Sequence, residues 1–303
     1  MRVLVIVVTF NATRWVDRCF NSIRESDIPL DAIVIDNKST DGTAEVIREK
    51  FPEVKLIVSE KNLGFGLGNN IGLQYAIDND YDYVYLLNQD AWIHHDTISK
   101  LIEVQNSYTE YGILSPIQLQ ANGEMLDSNF GKVTCGYASN PRLISDLFFN
   151  RAQKMYEVSS VMAAHWLISR ECLLKVGGFS PSFPHYGEDD NYQDRTRYFG
   201  FKIGIVTEAI AIHDRGERPY SKENEIKRLY ISNVLILSQL TENKKHPLLF
   251  VLLNCFRNCV KYRTVKPIEQ FCLVIKNYRR IIHNRIASFG ECAFLNNKRD
   301  ENS

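Results

Sequence analysis

Three groups of side chains in this chain have the types and spacing to do chemistry. Glu188-Asp189-Asp190 sets three carboxylates in a row behind an aromatic, proline-containing loop. Carboxylates crowded in a partly closed cleft repel one another, and the raised pKa suits a general base. At an exposed helix start the same triplet would merely suit the helix dipole. Asn88-Gln89-Asp90 ends an apolar run, where Asp90 can give hard oxygen ligands to a divalent cation. His213, at the end of another run, is a candidate second ligand. Magnesium or manganese held there would offset the negative charge of a departing diphosphate. Taken singly, Asp90 also fits a turn cap and His213 a satisfied structural histidine.

Asp36-Asn37-Lys38-Ser39-Thr40-Asp41-Gly42 is the third group. Its short side chains can bond a flat heterocycle or a ribose, and Gly42 permits a tight turn. It also fits an ordinary Asx-rich turn with a helix cap. Asn62-Leu63-Gly64-Phe65-Gly66-Leu67-Gly68 reads as a glycine loop before a helix whose N-terminus favours anions. A dinucleotide fingerprint would need its third glycine at Asn69 and a place after the first strand, and both conditions fail.

These groups need a scaffold, and the apolar pattern supplies one. Val3–Val8, Ala32–Ile35 and Tyr83–Leu87 are short buried runs, each opening into a small polar loop. Helical patterns alternate with them, which predicts a parallel sheet whose ligands sit beyond the carboxyl ends of the strands. Val54–Val58 and Ile113–Leu119 read as further strands, and Phe201–Val206 and Ala209–Ile212 as two more. Asp96 is placed to cap a helix through Ile102. A helix at Arg170–Val176 stops at Gly177-Gly178, and the acidic triplet opens another to Tyr198. Residues 122–157 show no sustained period. From Lys222 onward the chain reads as helical.

At 303 residues, 45% hydrophobic and 24% charged, the chain has the size and composition of a globular α/β protein. Lys+Arg 36 balances Asp+Glu 36, so no global field points to nucleic acid. The 7 cysteines show no metal or disulfide spacing and fit buried thiols in a reducing cytosol. The first residues run straight into a strand pattern and no apolar stretch reaches a membrane span, so a cytoplasmic protein is expected. The stretch from Asn243 to Arg285 is strongly basic, with Glu269 its only acid. Leu248, Leu249, Val251, Leu252 and Phe256 beside Arg257 and Lys261 fit an interfacial helix drawn to anionic lipid, and equally a docked helical cap with solvated lysines.

Together these pieces resemble the inverting glycosyltransferases of family 2, the rhamnosyltransferase-like members above all. Val7-Val8-Thr9-Phe10-Asn11 resembles the family's opening strand and loop. Val34-Ile35-Asp36-Asn37-Lys38-Ser39-Thr40-Asp41-Gly42-Thr43 resembles its base-binding motif. Asn62-Leu63-Gly64-Phe65-Gly66 with Asn70-Ile71-Gly72 resembles its N-L-G-F and N-x-G. Leu86-Leu87-Asn88-Gln89-Asp90 resembles a variant of its metal-binding D-x-D. Gly177-Gly178-Phe179, Glu188-Asp189, Arg195 and His213 follow in order. The resemblance runs from Met1 to about Arg218. Asn88 and Asn191 stand where relatives carry aspartates.

The resemblance implies a GT-A-type nucleotide-binding fold: α/β, with a mostly parallel central sheet flanked by helices, plus a C-terminal helical extension. Residues 1–220 would form the catalytic domain, with nucleotide-sugar binding in about 1–120 and the acceptor side in about 121–220. Residues 221–303 would form a helical region that either touches membrane or caps the domain. Thr9, Phe10, Asn11, Asp36, Asn37, Ser39, Asp41, Asn62, Gly64, Gly66 and Asn70 would bind the nucleotide. Asp90 and His213 would hold Mg²⁺ or Mn²⁺. Asp189 would be the general base, with Glu188 and Arg195 supporting it. Residues 122–157 and Ala163-Ala164-His165-Trp166 would face the acceptor, with His165 and Trp166 in contact. Implied partners are a nucleotide-sugar donor, a glycan or lipid-linked acceptor and an anionic membrane surface, with the protein cytoplasmic or peripheral on the membrane's inner face. Asn88 and Asn191 also motivate an alternative, a catalytically silent sugar-nucleotide-binding or scaffold subunit. A nucleotidyltransferase of similar fold would need a glycine-rich activating loop after the first strand, and none is present.

Overall fold

The structure, a computed structural model, describes residues 1–216, 221–241 and 245–296. Residues 217 and 218, where the resemblance ends, and Lys244 of the basic stretch lie outside them. The first half alternates strands β1 (Val3–Thr9), β2 (Asp31–Asp36), β3 (Lys55–Val58) and β4 (Tyr83–Asn88) with helices α1 (Thr13–Arg24), α2 (Thr43–Lys50) and α3 (Gly64–Asp78). Then come β5 (Ala91–Ile93), α4 (Thr97–Ser107), β6 (Tyr111–Leu119), α5 (Leu143–Phe148), β7 (Met155–Glu157), β8 (His165–Ser169), α6 (Arg170–Val176), α7 (Glu188–Tyr198) and β9 (Lys202–His213). Helices α8 (Lys222–Ser238), α9 (Pro247–Tyr262) and α10 (Lys266–Ala287) complete the order.

The strands form one mixed sheet in the order β3-β2-β1-β4-β8-β6-β9-β5, with β7 paired to β9. Its β3-β2-β1-β4 half is parallel, as is β6 with β9; β8, β5 and β7 run antiparallel to their neighbours. Strand β1 is apolar up to Thr9 because both of its faces are covered. Leu4 and Ile6 enter the core on one side of the sheet, Val3, Val5 and Val7 the core on the other.

Four sequence expectations change. The expected glycine loop is the first turn of α3, which starts at Gly64. A Cβ at Gly72 would come within 2.6 Å of Ile6, so this helix lies against β1 too closely for a side chain. The two strands expected at 201–206 and 209–212 are one strand, β9, which stays paired with β6 across a register shift after Val206. The irregular 122–157 segment holds a π-helical turn (Phe130–Thr134), α5 and β7. Asp96 precedes α4, but its carboxylate pairs with Lys100 at 2.7 Å and caps no backbone N–H.

The C-terminal helices brace the segment that carries the acidic triplet. Phe183 shares a hydrophobic cluster with Val234, Leu237, Val251, Val274 and Ile281. Leu240 N–H donates to Asp194 at 2.7 Å and Asn284 to Ser182 at 2.9 Å. Helix α9 buries Val251 and Cys255 and leaves Leu249, Leu253, Phe256 and Val260 exposed on another face. Among the described residues no helix is long and apolar enough to cross a membrane.

Candidate active site

The polar loops after β1, β2 and β4 meet at one end of the sheet and bond to one another. Asp36 Oδ1 accepts from Thr9 Oγ1 at 2.8 Å and Ser39 Oγ at 2.6 Å, while its Oδ2 accepts from Ser39 N–H at 2.9 Å. Asn11 N–H donates to Ser39 Oγ, and Asn11 Oδ1 accepts from Thr40 N–H, both at 2.9 Å. Asn37 bonds the backbone of Leu63 and Gly64, tying the loop to the start of α3. Asn62 Oδ1 accepts from Gly64 N–H at 2.8 Å. Gln89 closes the ring through the backbone of Phe10. Burial raises the pKa of Asp41, but four hydrogen bonds from Thr13 and Thr43 outweigh it and bring the group down to about 2.

Thr9, Asp36 and Asn37 are buried within this rim, whereas Phe10, Asn11, Asp41 and Asn62 are exposed on it. Gly66 packs under Phe179 and Glu188, and a Cβ at Gly64 would strike the Pro184 carbonyl. Asn70 departs from the expected nucleotide contact. Its amide is spent on the Phe179 backbone, accepting at 2.6 Å and donating at 2.9 Å, which fastens α3 to the turn after α6.

Beside the rim lies a cleft of about 170 Å³, lined by Asn88, Asp90, His213, Arg215, Glu188 and Asp189. Phe65, Met162, Ala163 and Ala164 supply its apolar wall, and the exposed His185 and Tyr186 also line it. Pairing of Ala91 with His213 between β5 and β9 sets Asp90 beside that histidine. His213 Nε2 lies 3.5 Å from Asp90 Oδ1. Among the described residues no group of three or more His, Cys, Asp or Glu side chains forms a metal cage. A carboxylate in the turn between β4 and β5 and an imidazole at the end of β9 still fit an ion whose other ligands come from substrate and water, as Mg²⁺ and Mn²⁺ sites allow. Asn88 Oδ1, Glu188 Oε2 and Arg215 Nε are buried atoms without a hydrogen-bond partner among the described residues. Such atoms cost about 1–3 kcal/mol each, so three around one cleft mark a place built for a ligand.

Gly187, in a left-handed turn at φ 84°, starts α7 and aims the acidic triplet. Burial, then the neighbouring Asp189 charge, pushes the Glu188 pKa up to about 8. Burial also raises Asp189, against hydrogen bonding to the backbone of its own turn and the opposing charge of Arg215. Arg195 is wholly buried and touches neither carboxylate. It donates to the Val176 and Gly178 carbonyls and to Asn191 Oδ1, holding α6 to α7. A neutral Asn191 is thus a working partner for the guanidinium.

His165 and Trp166 do not face an acceptor; both are 0% exposed. The His165 ring bonds the Tyr85 hydroxyl and the Ile212 carbonyl, and burial brings its pKa to about 3, so it is a neutral structural group. Trp166 stacks with Phe179 at 6.5 Å inside the core. Sequence reasoning missed His185, Tyr186, Met162 and Arg215. The Pro184-His185-Tyr186-Gly187 turn ahead of the triplet was the available signal for the first two.

Comparison with known proteins agrees with this architecture. A family profile described as Glycosyl transferase family 2 matches residues 4–176. A low-salt glycan biosynthesis hexosyltransferase of Haloferax volcanii is 24% identical over 260 residues, 84% of this chain and 83% of that one. An N-acetylglucosaminyl-diphospho-decaprenol L-rhamnosyltransferase of Mycobacterium tuberculosis is 25% identical over 234 residues, 70% and 75% of the two chains. Among solved structures, a mannosyltransferase from Pyrobaculum calidifontis in complex with GDP-Man and Mn²⁺ superposes with a TM-score of 0.57 at 17% identity, over 95% of this chain and 85% of that one. Staphylococcus aureus TarS in complex with UDP-GlcNAc gives 0.56 at 17% identity, over 96% and 84%. The profile covers more than half of the sequence and the superpositions give the GT-A fold: the chain belongs to glycosyltransferase family 2 and is a glycosyltransferase.

Proposed function

We propose that this enzyme moves a sugar from a nucleotide-diphospho-sugar to a hydroxyl of a glycan or lipid-linked acceptor, with inversion at the anomeric carbon. The observation that carries the reading is one cleft lined by Asp90 from the β4–β5 turn, His213 from the end of β9 and Asp189 from α7. The nucleotides bound by the two superposed enzymes support the donor class. Phe10, Asn11 and Asp41 on the rim take the base and ribose, with the buried Thr9, Asp36 and Asn37 shaping it. Asp90 and His213 would hold Mg²⁺ or Mn²⁺, which when bound neutralises charge on the leaving diphosphate.

Asp189 takes the proton of the acceptor hydroxyl as that oxygen attacks the anomeric carbon. Attack from the face opposite the leaving diphosphate inverts the centre in one displacement. Glu188, with its pKa near 8, keeps its proton at neutral pH and adds no second negative charge beside the base. Arg215 favours the ionised form of Asp189. His185 and Tyr186 offer ring faces to an acceptor sugar. The silent-subunit alternative loses one of its two supports, because Asn191 has a structural partner in Arg195.

The test is a panel of nucleotide-sugars with Mg²⁺ or Mn²⁺ and candidate acceptors, followed by nucleotide release. Asp189→Asn should lower transfer about 10²–10⁴-fold while nucleotide binding persists. Wild-type transfer in that variant removes the base assignment, and silence with every donor removes the whole reading.

The bare face of α9 favours a second statement about place. Leu249, Leu253, Phe256 and Val260 recur at helical spacing and are 52%, 59%, 56% and 79% exposed. Lys245, Arg257 and Lys261, also exposed, lie on or next to the same helix. An apolar stripe edged by cations fits an anionic membrane surface, peripheral and on the cytoplasmic side. The protein should float with phosphatidylglycerol vesicles at low salt and less at high salt. Recovery in the soluble fraction at both salts overturns this.

A further inference from the structure

The structure assigns Asp127 as a positioning residue that holds the His213 proton on Nδ1, so that Nε2 can present its lone pair to a cation beside Asp90. The inference rests on the metal reading above and goes beyond it, because Asp127 lies in the irregular 122–157 segment and belongs to none of the motifs.

The His213 ring is held between two carboxylates on its two nitrogens. Nε2 is 3.5 Å from Asp90 Oδ1, and Nδ1 is 3.6 Å from Asp127 Oδ2. His213 and Asp127 are each 2% exposed. Because Asp90 and Asp127 lie against different ring nitrogens, Asp127 is placed to act on the ring and not on an ion beside Asp90. Its carboxylate orientation is fixed by backbone. Oδ1 accepts from Asn129 N–H and Phe130 N–H, both at 2.9 Å, capping the π-helical turn. Asp127 N–H donates to the Gln118 carbonyl at 2.9 Å, and its own carbonyl accepts from Gly131. That leaves Oδ2 directed at the ring.

A neutral imidazole has one N–H, and the group facing each nitrogen decides which one carries it. A carboxylate can only accept, so each of the two favours a proton on the nitrogen it faces; a cation beside Asp90 displaces the proton from Nε2, and Asp127 then keeps the one that remains on Nδ1. Histidines that bind metals are commonly oriented in this way by a carboxylate, and loss of such a partner costs 10–100-fold in affinity. At 3.6 Å the contact is longer than a hydrogen bond, and the preference is set by charge across a buried gap.

Asp127→Asn separates the two duties of this residue. The amide oxygen can keep the cap on Asn129 and Phe130, which turns the NH₂ group toward His213 Nδ1. The ring must then accept at Nδ1 and carry its proton on Nε2, where it blocks a cation. Mn²⁺ titrations followed by electron paramagnetic resonance, with UDP or GDP present, should show Asp127→Asn binding Mn²⁺ about 10–100-fold more weakly than wild type. Metal-free nucleotide binding and far-UV circular dichroism should be unchanged. His213→Ala serves as the reference for full loss of the nitrogen ligand. Mn²⁺ affinity within twofold of wild type in Asp127→Asn, with His213→Ala impaired, overturns this inference and leaves the metal reading standing. Wild-type protein that binds no Mn²⁺ overturns both. Should Asp127→Asn fail to fold, ¹⁵N shifts of the His213 ring in wild type with the diamagnetic Mg²⁺ and UDP decide the matter. Protonation on Nδ1 supports the assignment, and protonation on Nε2 overturns it.

Discussion

The rim and the cleft adjoin each other yet differ in how their polar atoms are treated. In the rim, Thr9, Asn11, Asp36, Asn37, Ser39 and Asp41 bond among themselves or to local backbone. In the cleft, Asn88, Glu188 and Arg215 each leave a buried atom unmatched among the described residues. Folding completes the first region, whereas the second waits on a ligand. A region whose hydrogen bonds close on themselves stabilises the fold and presents a preformed surface. A region with unmatched buried groups costs stability and keeps reactivity in reserve. Substitutions in the two regions should therefore move different measurements.

The largest contrast is expected from Asp36→Ala. Asp36 is fully buried and accepts three hydrogen bonds, so its removal strands the Thr9 hydroxyl, the Ser39 hydroxyl and the Ser39 N–H. Three stranded donors, the Thr9 hydroxyl fully buried and the two on Ser39 partly so, should cost roughly 3 kcal/mol in denaturant unfolding, and nucleotide affinity should fall with the collapse of the rim. An Asp36→Ala protein as stable as wild type would show that the rim does not hold itself together, and the contrast with the cleft would break.

Much of this division was legible in the sequence. Continuous apolar runs such as Val3–Val8 mark strands covered on both faces, and their abrupt change to Asn, Asp and Ser marks where such strands open onto the rim. The same covering hid the error at His165 and Trp166. In a strand buried on both faces, alternation carries no label for the side that meets solvent. Strand β5 was missed because three residues carry no period, and its pairing with β9 is wholly non-local. Glycines misled at α3, since Gly64, Gly66 and Gly68 suggested a loop where Gly72 shows close packing of a helix on β1. The Asp127–His213 contact joins two segments 86 positions apart by number and leaves no local pattern at all.

A smaller effect, and the one that reads the cleft most directly, comes from Glu188→Gln. The folded protein raises this carboxyl to about 8, chiefly by burial, against about 4.3 in an unfolded chain. Folding therefore favours the protonated form. Below about pH 4 both states hold the proton and burial of the carboxyl carries no charge penalty. As pH rises, the unfolded chain releases its proton first, and stability falls until about pH 8, beyond which the deficit stays constant. Glutamine keeps the shape and never ionises. Glu188→Gln should match wild type near pH 4.5 and exceed it at pH 9, by on the order of 3 kcal/mol in urea unfolding. The direction matters more than the size, because a rim substitution can only destabilise while this one should stabilise. An advantage that stays the same from pH 5 to pH 9 would mean that Glu188 does not titrate in that window, and the cleft would then lose its claim to a buried neutral acid beside Asp189.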